Sequence, residues 1–184
     1  ERLFLTVSPD FQETLPTVAN PKSPWMDAMG TRLFFNNGFC SNRESPELYL
    51  ELWKNVARYG IKQIMLTNHE SGWSDYWDES SSTLRTRSAR LKGGDEHQAS
   101  ISSQLKALGF RYGPYTNYCG YLPINEYWDE DFTIRTPSGQ WLQQYPHPLM
   151  HYAIKPSRVV EMAGHIDPIL KDKFDFDCGY LDVH

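Results

Sequence analysis

The sequence has few cysteines, no basic run and no long apolar run. Its 3 cysteines, Cys40, Cys119 and Cys178, lie far apart, so they predict neither a CxxC unit nor a disulfide framework. The formal net charge is −5, and without a basic run no phosphate-binding surface for nucleic acid is expected. No stretch of about 18 apolar residues is present, so no membrane span is predicted.

A signal segment is also missing at the start of the sequence. Glu1 is not an initiator methionine, and no basic segment leads into an apolar one. We therefore expect a mature or excised segment of a longer protein, with a secreted or periplasmic location favoured. The sequence does not determine the redox compartment or the oligomeric state.

Aromatic residues, in contrast, are abundant. They make up 14% of the chain, with 6 Trp and 11 Tyr. Such side chains fill cores, but Trp and Tyr also form flat, amphipathic surfaces on which sugar rings or bases stack.

Strand and helix patterns alternate along most of the chain. Apolar strand candidates cover residues 31–39, 61–70, 110–118 and 176–183, and helical patterns lie between them. This order predicts an α/β fold with a parallel sheet. A complete (β/α)₈ TIM barrel needs about 250 residues, so the four βα units predict an incomplete barrel over residues 31–184. The proline-containing residues 1–30 read as an extended lead-in.

The first two helices have recognisable boundaries. Ser45 is expected to cap the first helix, with Pro46 at its first position and Gly60 at its end. Its apolar stripe is predicted at Leu48, Leu52 and Val56.

Asp95 is the expected N-cap of the second helix. Gln98, three residues later, completes a capping-box pattern. The apolar stripe of this helix is predicted at Ile101, Leu105 and Leu108. The third helix, within residues 155–174, is expected to break near Gly164 and Pro168.

Long loops follow the second and third strands, whereas the turns into these strands are short. This asymmetry is typical of the catalytic face of a barrel, where the carboxyl ends of the strands meet. The polar and aromatic residues at the predicted strand ends are Asn36, Asn37, Asn68, His69, Glu70, Tyr115, Asn117, Asp182 and His184.

Carboxylate chemistry fits these strand ends best. A retaining glycosidase needs one carboxylate as nucleophile and a second, about 5 Å away, as acid/base. Asp182 suits the first role. Candidates for the second within this chain are Glu70 and the group Asp129, Glu130 and Asp131, and an acid on a strand beyond His184 is favoured over both. His147 and His151 are four residues apart, but Pro148 lies between them and the glutamate of an HExxH motif is missing. No metal site and no cofactor are therefore predicted.

Several segments together resemble a known enzyme family. They include "YGIKQIMLTNHESGW", "GGDEHQASISSQLKALGFRYGPYTNYCGYLP", "YAIKPSR" and "FDFDCGYLDVH". Their order resembles the barrel of bacterial glycoside hydrolases of the endo-α-N-acetylgalactosaminidase and α-N-acetylgalactosaminidase group, families 101 and 129. The resemblance covers residues 31–184, the first half of the barrel.

The resemblance implies a β-sandwich domain before the barrel and a nucleophilic Asp after the fourth strand. That Asp corresponds to Asp182 in "YLDV". The acid/base residue would follow a later strand. The "VH" ending and the "TNY" end of the third strand depart from the family pattern, so specificity for N-acetylgalactosamine is not implied.

The sequence thus predicts a glycoside hydrolase acting on an α-linked carbohydrate substrate. Asp182 is the candidate nucleophile, and the substrate-binding candidates are Asn68, His69, Glu70, Trp73, Trp77, Tyr115, Asn117 and His184. Trp73 and Trp77 are the candidate stacking surfaces. The alternatives are a non-catalytic carbohydrate-binding barrel and a metal-dependent, sugar-isomerase-like barrel enzyme. This chain alone is expected to be inactive.

Overall fold

The structure, a computed structural model, describes residues 5–14, 22–39, 46–73, 85–146 and 150–182. The chain divides into two compact units, Glu1–Thr31 and Arg32–His184. The first unit contains two short helices, α1 (Phe11–Thr14) and α2 (Met26–Gly30). Residues 1–30 therefore include helical turns where an extended segment was predicted. The expected upstream β-sandwich stays a prediction.

The second unit contains the alternating elements. Its helices are α3 (Pro46–Arg58), α4 (Glu70–Trp73), α5 (Gly94–Ala107) and α6 (Val159–Phe174). Its strands are β1 (Leu33–Phe39), β2 (Ile64–Asn68), β3 (Arg111–Asn117), β4 (Gly120–Tyr121), β5 (Gln143–Pro146), β6 (Met150–Ala153) and β7 (Tyr180–Asp182).

Four strands form one parallel sheet in the order β1-β2-β3-β7. The three long helices α3, α5 and α6 follow the first three of these strands in the chain, which is the βα repeat of a barrel. The sheet is curled: the rings of Phe34 on β1 and Tyr180 on β7 lie only 6.2 Å apart, although these are the two outer strands. The predicted fold class, an incomplete (β/α)₈ barrel of parallel strands, is confirmed.

The core lies between this sheet and the helices. Trp53 of α3 packs edge-on against Phe35 of β1, with ring centroids 5.2 Å apart. The fully buried side chains contributed by β2 and α5 include Leu66 and Leu105. From α6 the buried side chains are Met162, Ile166, Leu170 and Phe174.

The apolar stripe of α3 differs from the prediction. Leu48 and Leu52 are 58% and 51% exposed, whereas Leu50 and Trp53 are buried. The helix is therefore rotated relative to the predicted stripe, because the large Trp53 ring enters the core and packs against Phe35 of β1 and against Phe110. The stripe predicted for α5 is confirmed: Ile101 and Leu105 are buried, and Leu108 packs against the core.

The capping box predicted at the start of α5 is wrong. The N-cap is Gly93, at φ 87°, a conformation that glycine adopts without steric penalty. The Asp95 carboxylate instead accepts hydrogen bonds from the Ser88 amide at 2.7 Å and the Lys173 Nζ at 2.8 Å. Gln98 points into the protein and is 1% exposed. Asp95 thus joins the loop before α5 to the end of α6.

The break predicted in α6 is also wrong, since the helix is continuous through Pro168. A proline inside a helix removes one hydrogen bond and crowds the carbonyl four residues earlier. That residue is Gly164, whose Cβ position has no neighbour within 4 Å. The buried stripe recurring every four residues from Met162 to Phe174 outweighs the lost hydrogen bond.

The segment between β3 and α6, predicted as a long loop, contains a small antiparallel sheet. Its strand order is β4-β6-β5. The rings of Trp128, Trp141 and Tyr152 pack on one another, with centroid distances between 5.0 and 6.1 Å. This sheet begins three residues after the end of β3, so it follows directly from the carboxyl end of a barrel strand.

Candidate functional site

The strand pairings place the predicted site residues at one edge of the sheet. Asn68 at the end of β2 pairs with Pro114 of β3, and Asn117 at the end of β3 pairs with Asp182 at the end of β7. In a parallel sheet the carboxyl ends of neighbouring strands lie together. The edge formed by these ends is the one at which barrel enzymes carry their catalytic residues.

Side chains of the strands alternate between the barrel interior and the helix layer. On the interior face, Thr67 donates a hydrogen bond of 3.1 Å to the Asn36 amide oxygen, which joins β2 to β1. Farther across this face the Tyr115 ring lies 5.6 Å from the Tyr180 ring. These contacts define a continuous interior surface across all four strands.

His69 and Tyr115 form the centre of this surface at the carboxyl edge. Their rings lie 5.0 Å apart with an interplanar angle of 42°. Tyr115 is 4% exposed, whereas His69 is half-buried. Because an imidazole has both a donor and an acceptor when neutral, His69 combines partial exposure with the chemistry to bind a hydroxyl group.

Asn117 ends β3 and starts the turn into the small sheet. Its amide oxygen accepts a hydrogen bond of 3.4 Å from the Cys119 backbone N–H. This bond orients the amide group at the strand end, and the residue is 4% exposed. Asn117 is also the register partner of Asp182. The Asn117 amide and the candidate nucleophile Asp182 therefore belong to paired positions on two neighbouring strands.

Asp182 is the last residue of β7, and the structure describes its backbone only. It lies two residues after Tyr180, whose ring packs on Tyr115 and Phe34. Glu70 begins α4, again with only its backbone described. Trp77 and His184 lie outside the described residues, so their predicted roles stay predictions.

Asn68, predicted to bind substrate, lies instead in the layer between sheet and helices. It is 1% exposed, and its amide nitrogen donates a 3.1 Å hydrogen bond to Gln98 of α5. Gln98 donates in turn to the Tyr112 hydroxyl at 2.7 Å. Burial raises the pKa of Tyr112, so this hydroxyl stays neutral. Strand alternation turns Asn68 away from the cleft, which disfavours the binding role predicted for it.

Trp73, predicted as a stacking surface, also lies inside the protein. Its side chain is fully buried, its indole N–H donates a 3.2 Å hydrogen bond to the Tyr115 carbonyl, and its ring packs edge-on against Phe176. No ring face is left for a sugar, which disfavours the stacking role predicted for this residue. Trp73 instead ties the segment after β2 to the end of β3.

In the acidic group Asp129, Glu130 and Asp131, which follows β4, two carboxylates form contacts within their own turn. The Asp129 carboxylate accepts from the Asp131 amide at 2.8 Å. Glu130 forms an ion pair of 2.8 Å with Arg135. Both carboxylates therefore stabilise the turn in which they lie, which disfavours either as the acid/base residue.

The small sheet carries a groove that the sequence patterns did not predict. Its volume is ≈ 690 Å³. The Arg135 guanidinium lies over the Trp141 ring, 5.3 Å from its centroid. Other lining residues are Thr136, Gly139, Gln140, Leu142, Gln143 and Tyr152. The sequence signal for this aromatic groove is the turn-forming segment "TPSGQW", which comes directly before β5.

Among the described residues, no three His, Cys, Asp or Glu side chains are grouped so that they could hold a metal ion. In the same part of the chain, every helix is too short or too polar to cross a membrane.

Comparison with known proteins gives structural matches only. No family model matches the chain, and no curated protein matches it in sequence. Among solved structures, the α-N-acetylgalactosaminidase NagBb of Bifidobacterium bifidum in its GalNAc complex superposes with a TM-score of 0.65 at 15% identity. The match covers 87% of this chain and 29% of that chain.

Two other glycosidases share the same arrangement. The α-galactosidase TtGalA of Thermus thermophilus matches with a TM-score of 0.54 at 16% identity, over 82% of this chain and 30% of that chain. The maltogenic α-amylase AmyB of Thermotoga neapolitana matches with a TM-score of 0.58 at 14% identity, over 85% and 40%. The chain therefore spans less than a third of the NagBb and TtGalA chains, and it has the fold of half of a (β/α)₈ barrel.

Proposed function

We propose that this chain is the first half of the barrel of a glycoside hydrolase that acts on an α-linked sugar with retention of configuration. The observation that carries the proposal is the position of Asp182. It ends the fourth barrel strand in register with Asn117, on the edge where barrel enzymes place their catalytic groups. The chain shares its fold with an α-N-acetylgalactosaminidase, an α-galactosidase and an α-amylase, which supports the proposal of an α-linked substrate.

In the proposed reaction the Asp182 carboxylate attacks the anomeric carbon of the substrate. The bond from that carbon to the glycosidic oxygen breaks, and a carboxylic acid on the opposite side protonates the departing oxygen. The resulting glycosyl ester is then attacked by water, whose proton returns to the second carboxylate. Two inversions at the anomeric carbon give net retention.

The second carboxylate is proposed at one of two places. Glu70 follows β2, two strands from β7 in the sheet. An acid on a later strand of a complete barrel is the other candidate, and the resemblance to families 101 and 129 favours it. The second carboxylate must lie about 5 Å from the nucleophile in a retaining enzyme. Only one of the two positions can therefore supply the acid/base residue.

Substrate contacts are proposed for the interior surface around Tyr115. His69 supplies a hydrogen-bonding imidazole, and Asn117 supplies an amide beside the nucleophile. The aromatic groove at Trp141 follows the same strand end. It would hold sugar units on the leaving-group side of an oligosaccharide, since planar aromatic and amide groups suit pyranose rings.

The test is the substitution Asp182→Asn in a protein that contains the complete barrel, assayed with p-nitrophenyl α-glycosides. The carboxamide keeps the size of the side chain but is a poor nucleophile, so kcat should fall about 10⁴-fold or more. In the truncated variant Asp182→Ala, external azide should restore turnover, because it can occupy the space left by the missing carboxylate and attack the anomeric carbon. The azide product would have the opposite anomeric configuration to the natural product.

Asp172→Asn is the matched control, since this exposed α6 carboxylate lies away from the strand ends. Its activity should equal that of the wild type. If Asp182→Asn hydrolysed the aryl glycoside at the wild-type rate, the nucleophile assignment would be wrong.

A further inference from the structure

Two arginines enter the barrel interior at the edge opposite the candidate site. Arg32 directly precedes β1, and Arg111 is the first residue of β3. Among the described residues neither guanidinium has a hydrogen-bond or ion-pair partner, although Arg32 Nη1 and Arg111 Nε are both buried. Buried cationic nitrogens are expensive to leave unpaired, so this pair calls for an explanation.

The strand registers place the two arginines in one layer of the barrel. Phe34 of β1 and Arg111 of β3 both pair with Met65 of β2. In an eight-stranded barrel of shear 8, positions of equal height shift by about one residue from strand to strand. Two strands away from Arg111, the equivalent position on β1 is thus two residues before Phe34, which is Arg32.

The segment before β7 closes the space above this layer. A Cβ atom at Gly113 would lie 1.6 Å from the Cys178 carbonyl oxygen, so the Cys178 backbone crosses β3 where a side chain would otherwise project. Burial and the charge of Asp177 raise the pKa of the Cys178 thiol to about 12, and the charges of Arg111 and Arg32 oppose that rise. Both guanidinium groups therefore act on the same half-buried thiol.

A closed barrel fills each interior layer with four side chains from alternate strands. Arg32 and Arg111 come from the first and third barrel strands, and β7 is the fourth. The remaining two positions of their layer belong to the fifth and seventh barrel strands, which lie beyond the four strands of this chain. The Asp177 carboxylate also acts on Cys178, but it accepts a hydrogen bond from the Tyr112 amide and, within the part of the chain that the structure describes, it forms no ion pair with either arginine. Two guanidinium groups without an ion-pair partner repel each other across a space of low dielectric constant.

We propose that the closed barrel places the carboxylate of an aspartate or glutamate, carried by its fifth or seventh strand, against Arg32 and Arg111. A carboxylate matches the planar guanidinium group and can accept two parallel hydrogen bonds from it. The ion pair joins the two halves of the barrel at the end remote from catalysis. It rests on the part of the proposed function that makes this chain half of a closed barrel, but it does not depend on hydrolysis, so a loss of Tm without a loss of the nucleophile role would separate the two.

The test uses the complete protein and measures its thermal unfolding. Arg32→Gln and Arg111→Gln should each lower Tm by about 3 °C or more, because each leaves the carboxylate incompletely paired. Arg58→Gln is the matched control: it removes the same charge from the exposed end of α3, where Arg58 Nη1 donates a hydrogen bond to Asn55. Its Tm should stay within about 1 °C of the wild type.

A double-mutant cycle identifies the partner. Replacing the inward-facing acid of the fifth or seventh strand by its amide should make a further Arg111→Gln substitution nearly neutral. Unchanged Tm in both arginine variants, or strands five and seven without an inward acid in this layer, would overturn the proposal.

A second arm distinguishes a protein carboxylate from a free anion. The Tm of the wild type is compared in sodium sulfate and sodium chloride at equal ionic strength, with Arg111→Gln measured alongside. Equal sulfate responses of the two proteins support the protein carboxylate. A sulfate response confined to the wild type means that the arginines hold a free anion, and it overturns the proposal.

Discussion

The Phe34 ring on β1 and the Tyr180 ring on β7 lie 6.2 Å apart, although β2 and β3 separate their strands. In a flat sheet, three strand spacings of about 4.8 Å would put the two strands about 14 Å apart. The contact therefore requires a strongly curled sheet with its interior side chains converging. That curvature brings the carboxyl ends of the four strands toward a common centre, where a substrate can contact several of them.

The close approach of β3 to the chain before β7 makes Gly113 sensitive to substitution. A methyl group there would lie 1.6 Å from the Cys178 carbonyl oxygen, and a backbone atom cannot rotate away as a side chain can. Gly113→Ala should lower the free energy of unfolding of this chain by about 3 kcal/mol or more. Urea denaturation followed by circular dichroism measures the change.

Gly164→Ala is the control for the Gly113 prediction. Gly164 lies within α6, and no atom lies within 4 Å of its Cβ position. Alanine should stabilise this helix by about 0.5–1 kcal/mol. Equal effects of the two substitutions would contradict the close approach at Gly113.

The orientation of α3 gives a second prediction. Leu50 is 6% exposed and Leu52 is 51% exposed, although both are leucines of one helix. Leu50→Ala should destabilise this chain by about 2–5 kcal/mol, because it leaves a cavity in the core. Leu52→Ala should change the stability by about 0.5 kcal/mol or less. Urea denaturation of both variants checks the result, and the reverse ranking would restore the stripe predicted from the sequence.

Patterns of the sequence predict the order of elements well and the faces of the elements less well. Glycine and proline mark the ends of α3 and the starts of β2 and β3, so the βα repeat could be recognised. Leu48, Leu52 and Val56 have helical spacing, but so do Leu50 and Trp53 with their neighbours. Only packing against the sheet decides between two such stripes.

The candidate site shows the same limit. Asn68 and His69 are adjacent polar residues at a strand end, and nothing in composition distinguishes them. Alternation turns Asn68 to Gln98 and leaves His69 beside Tyr115. Trp73 could not be told from an exposed aromatic residue, because its buried partner, the Tyr115 carbonyl, lies 42 residues away in the chain.

The end of α6 should respond to acid. Asp175 lies at φ 52° after the helix, and its carboxylate contacts Lys106 and Lys171. Hydrogen bonds from these lysines lower the pKa of Asp175 from 3.8 to about 2. Because the folded pKa lies below the unfolded pKa, the ionised group stabilises the fold above about pH 4. That contribution disappears as the pH falls toward 2.

Asp175→Asn tests this pH dependence, since asparagine also tolerates the left-handed conformation. The variant should be less stable than the wild type near neutral pH, and the difference should vanish near pH 2. It should also shrink in high salt, because the carboxylate is exposed to solvent. Urea denaturation at several pH values measures the difference. A difference that stayed constant with pH would mean that the charge on Asp175 has no role.

The neighbours Asn68 and His69 allow stability and activity to be separated in one experiment. Asn68→Ala removes the partner of Gln98 in a buried layer, so it should lower the free energy of unfolding by about 1–3 kcal/mol. His69→Ala alters the half-buried interior surface beside Tyr115. In the complete enzyme it should lower kcat/KM for an aryl α-glycoside about 10- to 100-fold, as expected for loss of a substrate hydrogen bond.

The two substitutions act on opposite faces of the same strand end, so their effects should differ in kind. Asn68→Ala should keep kcat/KM within a few-fold of the wild type at temperatures where it is folded. His69→Ala should unfold at nearly the wild-type urea concentration. If His69→Ala lost stability without losing activity, the imidazole would be a structural bridge to Tyr115, and substrate binding would have to rest on Asn117 and residues of other strands.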